Sequence, residues 1–62
     1  MGAKLIKAFE TAKAEGGMKA QMRLAMKTGL SSDKASGTPD SPELIQKFEA
    51  ALKEILGKSV NL

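Results

Sequence analysis

Large apolar side chains recur at helical spacing in three stretches of the chain. In the first stretch, residues 3–15, Leu5 and Phe9 share one face, and charged side chains fill the opposite face. Gly16 and Gly17 follow directly, and each glycine inside a helix costs about 1 kcal/mol relative to alanine. The pattern predicts an amphipathic helix over residues 3–15 that ends in a glycine turn.

The second stretch, residues 18–28, carries methionine at every fourth position. Met18, Met22 and Met26 fall in one row of a helix, and a row of basic side chains adjoins them. We expect the methionine row to complete the core, because flexible methionine side chains fill irregular gaps between helices. Leu24 then falls on the far side of this helix and indicates a second apolar contact surface.

The third stretch, residues 42–56, has the clearest pattern. Ser41 is a suitable N-cap and Pro42 suits the first helical position. Asp40, with Glu43 three residues later, offers an alternative capping box. The apolar residues of this stretch fall within an arc of about 140° on a helix. They are Leu44, Ile45, Phe48, Ala51, Leu52, Ile55 and Leu56.

Turn-forming residues fill the segment between the second and third stretches. Residues 31–41 contain no large apolar side chain, so we expect residues 29–41 to form a long polar loop with one short helical turn at residues 32–35. No internal repeat and no strand-like alternation is present. The sequence therefore predicts a single all-α domain of three helices: a short helix-turn-helix, the polar loop and a C-terminal amphipathic helix.

Size and composition make such a domain marginal by itself. A chain of 62 residues buries only about 60% of the surface that its unfolded form exposes. The absence of cysteine and histidine removes disulfides and the usual zinc sites as supplements. We therefore expect a homodimer or higher oligomer. The predicted self-association or partner surface comprises Met22, Leu24, Met26, Leu44, Phe48, Leu52 and Ile55.

The same composition narrows the chemistry. Without histidine and cysteine, the commonest general base and all thiol chemistry are absent. Gly57-Lys58-Ser59 resembles the end of a phosphate-binding loop, but Leu52 stands where the earlier glycine is required. Gly57 is better explained as a helix stop. We expect no catalytic residue, no cofactor, no metal and no small-molecule substrate.

Charge and hydropathy bear on location and partners. No run approaches the roughly 20 apolar residues of a membrane span, and residues 1–15 lack the apolar stretch of a secretory signal, so we expect a cytoplasmic protein. Residues 1–30 carry six basic and two acidic side chains, whereas residues 31–62 carry four basic and five acidic ones. The basic half suits an acidic partner, the acidic third helix of a neighbouring copy, or nucleic acid.

One motif favours the last of these partners. Gln21, Leu24, Ala25, Gly29, Leu30 and Ser31 are spaced as in the first helix and turn of repressor-type helix-turn-helix proteins. The resemblance implies that the next helix lies in the major groove, and that Lys19, Arg23 and Lys27 contact DNA phosphates. Gly37 and Pro39 interrupt the residues where that helix would run. A small DNA-binding regulator is thus the alternative to protein–protein interaction or homo-oligomeric assembly.

Overall fold

The computed structural model describes residues 3–62 as three α-helices. They are α1 (Ala3–Thr28), α2 (Ser32–Ser36) and α3 (Pro42–Leu56). Within residues 3–62 no strand is present, and the predicted all-α class is confirmed. Both α2 and α3 pack against α1.

α1 is bent at Gly17, where the backbone leaves helical geometry with φ of 75° and ψ of −170°. This region of backbone conformation is accessible essentially only to glycine. The bend separates a first arm (residues 3–16) from a second arm (residues 18–28). The glycine break lies where the sequence predicts it, but it takes the form of a kink with no loop between the arms.

The core lies between both arms of α1 and α3. At its centre the rings of Phe9 and Phe48 meet edge to face, with 5.7 Å between ring centroids and an interplanar angle of 75°. Val60 and Leu62 pack back onto this core from the C-terminal segment. The apolar residues that are buried are Leu5, Ala8, Phe9, Ala12, Ala20, Leu24, Ala35, Phe48, Ala51 and Leu52.

The second arm turns a different face to the core from the one that the sequence predicts. Ala20, Leu24 and Thr28 are buried at four-residue spacing, whereas Met22 and Met26 are exposed. The predictions that the methionine row completes the core and that Leu24 lies on the far side are therefore wrong. On one straight helix the buried faces of the two arms would differ by about 100°, the rotation of one residue. The kink at Gly17 turns the second arm so that the buried faces of both arms contribute to the same core.

Side-chain caps define where α3 and α1 begin. The Ser41 hydroxyl oxygen accepts a hydrogen bond from the Leu44 N–H at 3.2 Å, and Gly57, with φ of 73°, ends α3, so α3 has the predicted bounds. Asp40 does not cap α3. Its Oδ2 accepts a hydrogen bond from the Lys4 N–H at 3.4 Å, which places a negative charge at the N-terminus of α1, where the helix dipole favours it.

The predicted polar loop of residues 29–41 contains α2. Gly29, with φ of 77°, follows the end of α1. The Ser31 hydroxyl oxygen then accepts a hydrogen bond from the Lys34 N–H at 3.3 Å and caps the short helix. Ala35 is fully buried against the core. The short helical turn predicted in this segment is therefore present, and it is anchored to the rest of the protein.

Candidate interaction surface

Three methionines of the second arm form an exposed apolar row, the methionine stripe (Met18, Met22 and Met26). Their exposed fractions are 63%, 62% and 82%. Four-residue spacing aligns them along about 12 Å of helix. A single exposed apolar side chain is ordinary on a protein surface. Three in one row form a continuous apolar strip, which is the kind of surface that marks a binding site.

Three residues of the predicted partner surface lie inside the protein. Leu24, Phe48 and Leu52 are fully buried, and Phe48 packs edge to face against Phe9 of the first arm. An apolar pattern indicates which side chains need to be covered, but it does not indicate whether the same chain or another chain covers them. In this fold α1 and α3 of the same chain cover each other.

The other four residues of that predicted surface remain at least partly accessible. Met22 and Met26 belong to the methionine stripe. Leu44 and Ile55 are partly buried and pack against the edge of the core. The structure therefore separates the predicted surface into an interior set, an edge set and an exposed set, and only the exposed methionines offer a continuous apolar face.

A hollow of about 260 Å³ lies beside the second arm where it meets α3. Ala20 and Ile55 supply its apolar lining, and Lys19 and Arg23 supply two cations. Gly16 completes the lining. A Cβ at Gly16 would lie 2.5 Å from the Cβ of Ala20 and 3.2 Å from Cδ2 of Leu56. The missing Cβ at Gly16 therefore permits the close approach of Ala20 across the kink in α1 and the contact with Leu56 of α3.

A second hollow of about 450 Å³ lies along the same pair of helices. It is lined by Lys27, Lys47, Ala50, Ala51, Lys53 and Glu54. Lys27 Nζ is 2.7 Å from Glu54 Oε2. The hydrogen bond from this ammonium group, together with its positive charge, lowers the pKa of the Glu54 carboxyl below its ordinary value. Five cations and one carboxylate thus line the two hollows.

Not all of the basic side chains are engaged. Among residues 3–62 the ion pairs are Lys27 with Glu54 and Lys58 with Glu15. Lys19 and Arg23 are exposed and form no ion pair within that part of the chain. Two of the three predicted phosphate contacts are therefore open to an anionic group from outside.

The motif that resembles a helix-turn-helix folds, up to a point, as the resemblance implies. α1 ends before Gly29, and Ser31 caps a second helix. Leu24 from the first helix and Ala35 from the second are both fully buried in the core. Thr28 links the end of α1 to the turn, because its Oγ1 donates a hydrogen bond to the Leu24 carbonyl oxygen at 2.7 Å and accepts one from the Leu30 N–H at 3.4 Å.

The second helix of this motif is short for a helix that would lie in the major groove of DNA. α2 has five residues and ends at Ser36, with Gly37 as its C-cap, which corresponds to about 7.5 Å of helix. Its exposed charged side chains, Asp33 and Lys34, have opposite signs. The interruption that Gly37 indicates in the sequence is therefore present in the structure.

The chain matches no protein-family model, no curated protein and no solved structure. None of the helices described for residues 3–62 is both long and apolar enough to cross a membrane. The same residues contain no group of three acidic side chains placed to hold a metal ion.

Three residues of this surface are not part of the partner surface that the sequence predicts. Met18 extends the methionine stripe, and Gly16 and Ala20 line the smaller hollow. A signal for the last two is present in the sequence, because small residues four positions apart let a helix approach its neighbour closely. No local signal distinguishes an exposed methionine row from a buried one.

Proposed function

We propose that this protein acts without catalysis, as a small protein–protein interaction module whose contact surface is the methionine stripe. The observation that carries this proposal is the exposure of three methionines in a single row. Methionine side chains are flexible and polarizable, so a methionine-rich face adapts to a partner surface. The partner is either a second copy of the chain or a different protein.

The modest core also supports the proposal. Five of the ten buried apolar residues are alanine, so large apolar side chains supply only half of the core positions. A domain of this size gains little stability from its own burial. Anything that binds only the folded state stabilises it, and a partner that covers the methionine stripe would do so.

Site-specific photo-cross-linking tests the proposal. A photoreactive amino acid is placed at position 22, in the methionine stripe, and in a control protein at Ala14, an exposed position of the first arm. We expect a cross-linked product in cells from position 22 and a much weaker one from position 14. Equal products from both positions, or none from either, would contradict the proposal.

Sedimentation separates the two kinds of partner. If the partner is a second copy, the purified protein sediments with a mass above 6.5 kDa at micromolar concentration, and its melting temperature rises with protein concentration. Met22→Glu should then restore the monomer. If the partner is a different protein, the purified chain stays monomeric while position 22 still cross-links in cells.

Binding to duplex DNA is a second candidate function. It is supported by the capped turn between α1 and α2 and by Lys19 and Arg23 on the second arm, which form no ion pair within residues 3–62. A DNA-binding function requires duplex affinity that falls steeply as salt rises, and Arg23→Ala should weaken binding whereas Lys13→Ala in the first arm should not. Undetectable duplex binding at low salt would eliminate this candidate.

A further inference from the structure

The methionine stripe runs along the second arm beside two cations, Lys19 and Arg23, which we call the basic row. Lys19 directly follows Met18, and Arg23 directly follows Met22, so each cation lies about 100° around the helix from a methionine. Within residues 3–62 neither cation has a carboxylate partner. An apolar strip and an unneutralised positive strip are thus adjacent over about one helical turn.

The surface becomes apolar again beyond the cations. Lys19 and Arg23 lie at the hollow whose apolar lining is Ala20 and Ile55. An occupant of this face therefore meets, in order, the methionine stripe, two cations and an apolar hollow. Such an order fits a ligand that carries apolar side chains with carboxylates among them.

A second copy of the chain does not supply those carboxylates through its own stripe. In an antiparallel pair related by a two-fold axis, like flanks of the two helices meet, so Lys19 and Arg23 would lie beside their own copies. In a parallel pair the basic row would face the opposite flank, where Gln21 and Ala25 carry no charge. Neither arrangement neutralises the basic row.

DNA and membranes use only part of this surface. A phosphate backbone would engage the cations but would leave three exposed methionines uncovered. A helix that lies on an anionic membrane usually carries tryptophan, phenylalanine or leucine on its apolar face, whereas the exposed large apolar side chains of the second arm are all methionine. Methionine rows of this kind suit the side chains of a partner helix.

We infer, on the basis of the proposed function, that the occupant is an acidic amphipathic helix of a different protein. Its apolar row contacts the methionine stripe, and carboxylates at four-residue spacing contact Lys19 and Arg23. The spacing follows from the surface, because two cations four positions apart on one helix match carboxylates repeating at about the same interval on a neighbouring helix. Rows of opposite charge specify the partner and its orientation.

Two synthetic peptides test the inference. Both form a helix of about four turns with one leucine row; one carries glutamate in the row beside the leucines and the other carries lysine there. With 13C-labelled methionine methyl groups, we expect the glutamate peptide to shift the signals of Met18, Met22 and Met26, with an affinity that falls as salt rises. The lysine peptide should leave these signals in place.

Charge reversal provides the matched variants. Lys19→Glu together with Arg23→Glu should weaken binding of the glutamate peptide about tenfold and should create binding of the lysine peptide. Lys7→Glu together with Lys13→Glu changes the net charge equally but alters exposed side chains of the first arm, so the preference for glutamate should persist. Circular dichroism verifies that both variants remain helical.

The outcomes distinguish this inference from the function on which it rests. Equal binding of both peptides, an unchanged preference after reversal at positions 19 and 23, or methionine shifts caused only by duplex DNA or by phosphatidylglycerol vesicles would overturn the acidic helix as occupant. If the glutamate peptide fails while position 22 cross-links to a second copy, the interaction function stands and the inference falls. If position 22 cross-links to nothing, both fall.

Discussion

The two arms of α1 have similar apolar patterns and use them differently. The first arm buries Leu5 and Phe9, its large inward-facing residues. The second arm buries Leu24 between two small residues and leaves its three methionines largely exposed. The first arm therefore serves chiefly the core, whereas the second arm divides its apolar side chains between the core and an outer surface. Apolar periodicity by itself does not distinguish these two uses.

Truncation of one large side chain in each role should give the largest contrast. Phe9→Ala removes a ring that is 1% exposed and packs edge to face against Phe48, and we expect a loss of about 3–5 kcal/mol in the free energy of unfolding. Met22→Ala, at 62% exposure, should change it by less than about 0.5 kcal/mol. Urea denaturation measures both. Similar losses would show that the two arms are not used differently.

Substitution at the kink tests what sets the arms apart. Gly17→Ala places a Cβ where φ is 75° and ψ is −170°, which should cost about 1–3 kcal/mol. Gly37 is a suitable control, because its φ of −96° is open to any residue and a Cβ there meets only the Lys34 carbonyl oxygen at 3.8 Å. Gly37→Ala should be neutral or slightly stabilising. Thermal melts that rank the two variants equally would contradict this role for Gly17.

The polar contact at the end of the second arm should have a smaller effect. Thr28 is 4% exposed, and its Oγ1 donates to the Leu24 carbonyl oxygen and accepts from the Leu30 N–H. Thr28→Val keeps the shape and removes both bonds, so we expect a loss of about 0.5–1.5 kcal/mol. Thr11→Val, at a half-buried position of the first arm, is the control. A loss no greater than the control's would rule out a stabilising role for these hydrogen bonds.

The ion pair between the second arm and α3 should give the smallest effect. Lys27 lowers the pKa of the Glu54 carboxyl from its ordinary value of 4.5, so the folded state favours the ionised form. The stabilisation is present above the unfolded-state pKa and is lost as pH falls through the lowered pKa. We expect Glu54→Gln to reduce the acid sensitivity of melting slightly, at low salt only. An identical pH profile in the variant would show that the pair contributes nothing.

Features whose signals are local could be predicted from the sequence. Ser41, Pro42 and Gly57 define α3 because a cap, a first-turn proline and a left-handed glycine act within a few residues. The all-α class follows from the same kind of local pattern. The short helix after Gly29 is also a local feature, since Ser31 caps it through a residue three positions later.

Features that depend on distant residues could not be predicted in this way. The orientation of the second arm follows from one unusual backbone conformation at Gly17, which no periodicity encodes. Asp40 reaches Lys4 across 36 positions, and Lys27 reaches Glu54 across 27. For the same reason the sequence assigns the row of Met22 and Met26 to the core, whereas the structure leaves both side chains exposed.

The kink also determines how much of the molecule one chain can close. A straight helix of 26 residues would be about 39 Å long, whereas the longest dimension of the Cα trace is 26 Å. Without Gly17 the two arms would share a single helical register, in which the apolar face of the second arm would lie about 100° around the rod from that of the first arm. Such a rod would extend beyond the 15 residues of α3 and leave part of that face for another molecule to cover. Gly17 thus allows both arms to pack against α3 of the same chain, whereas a straight helix would leave apolar side chains for another molecule to cover.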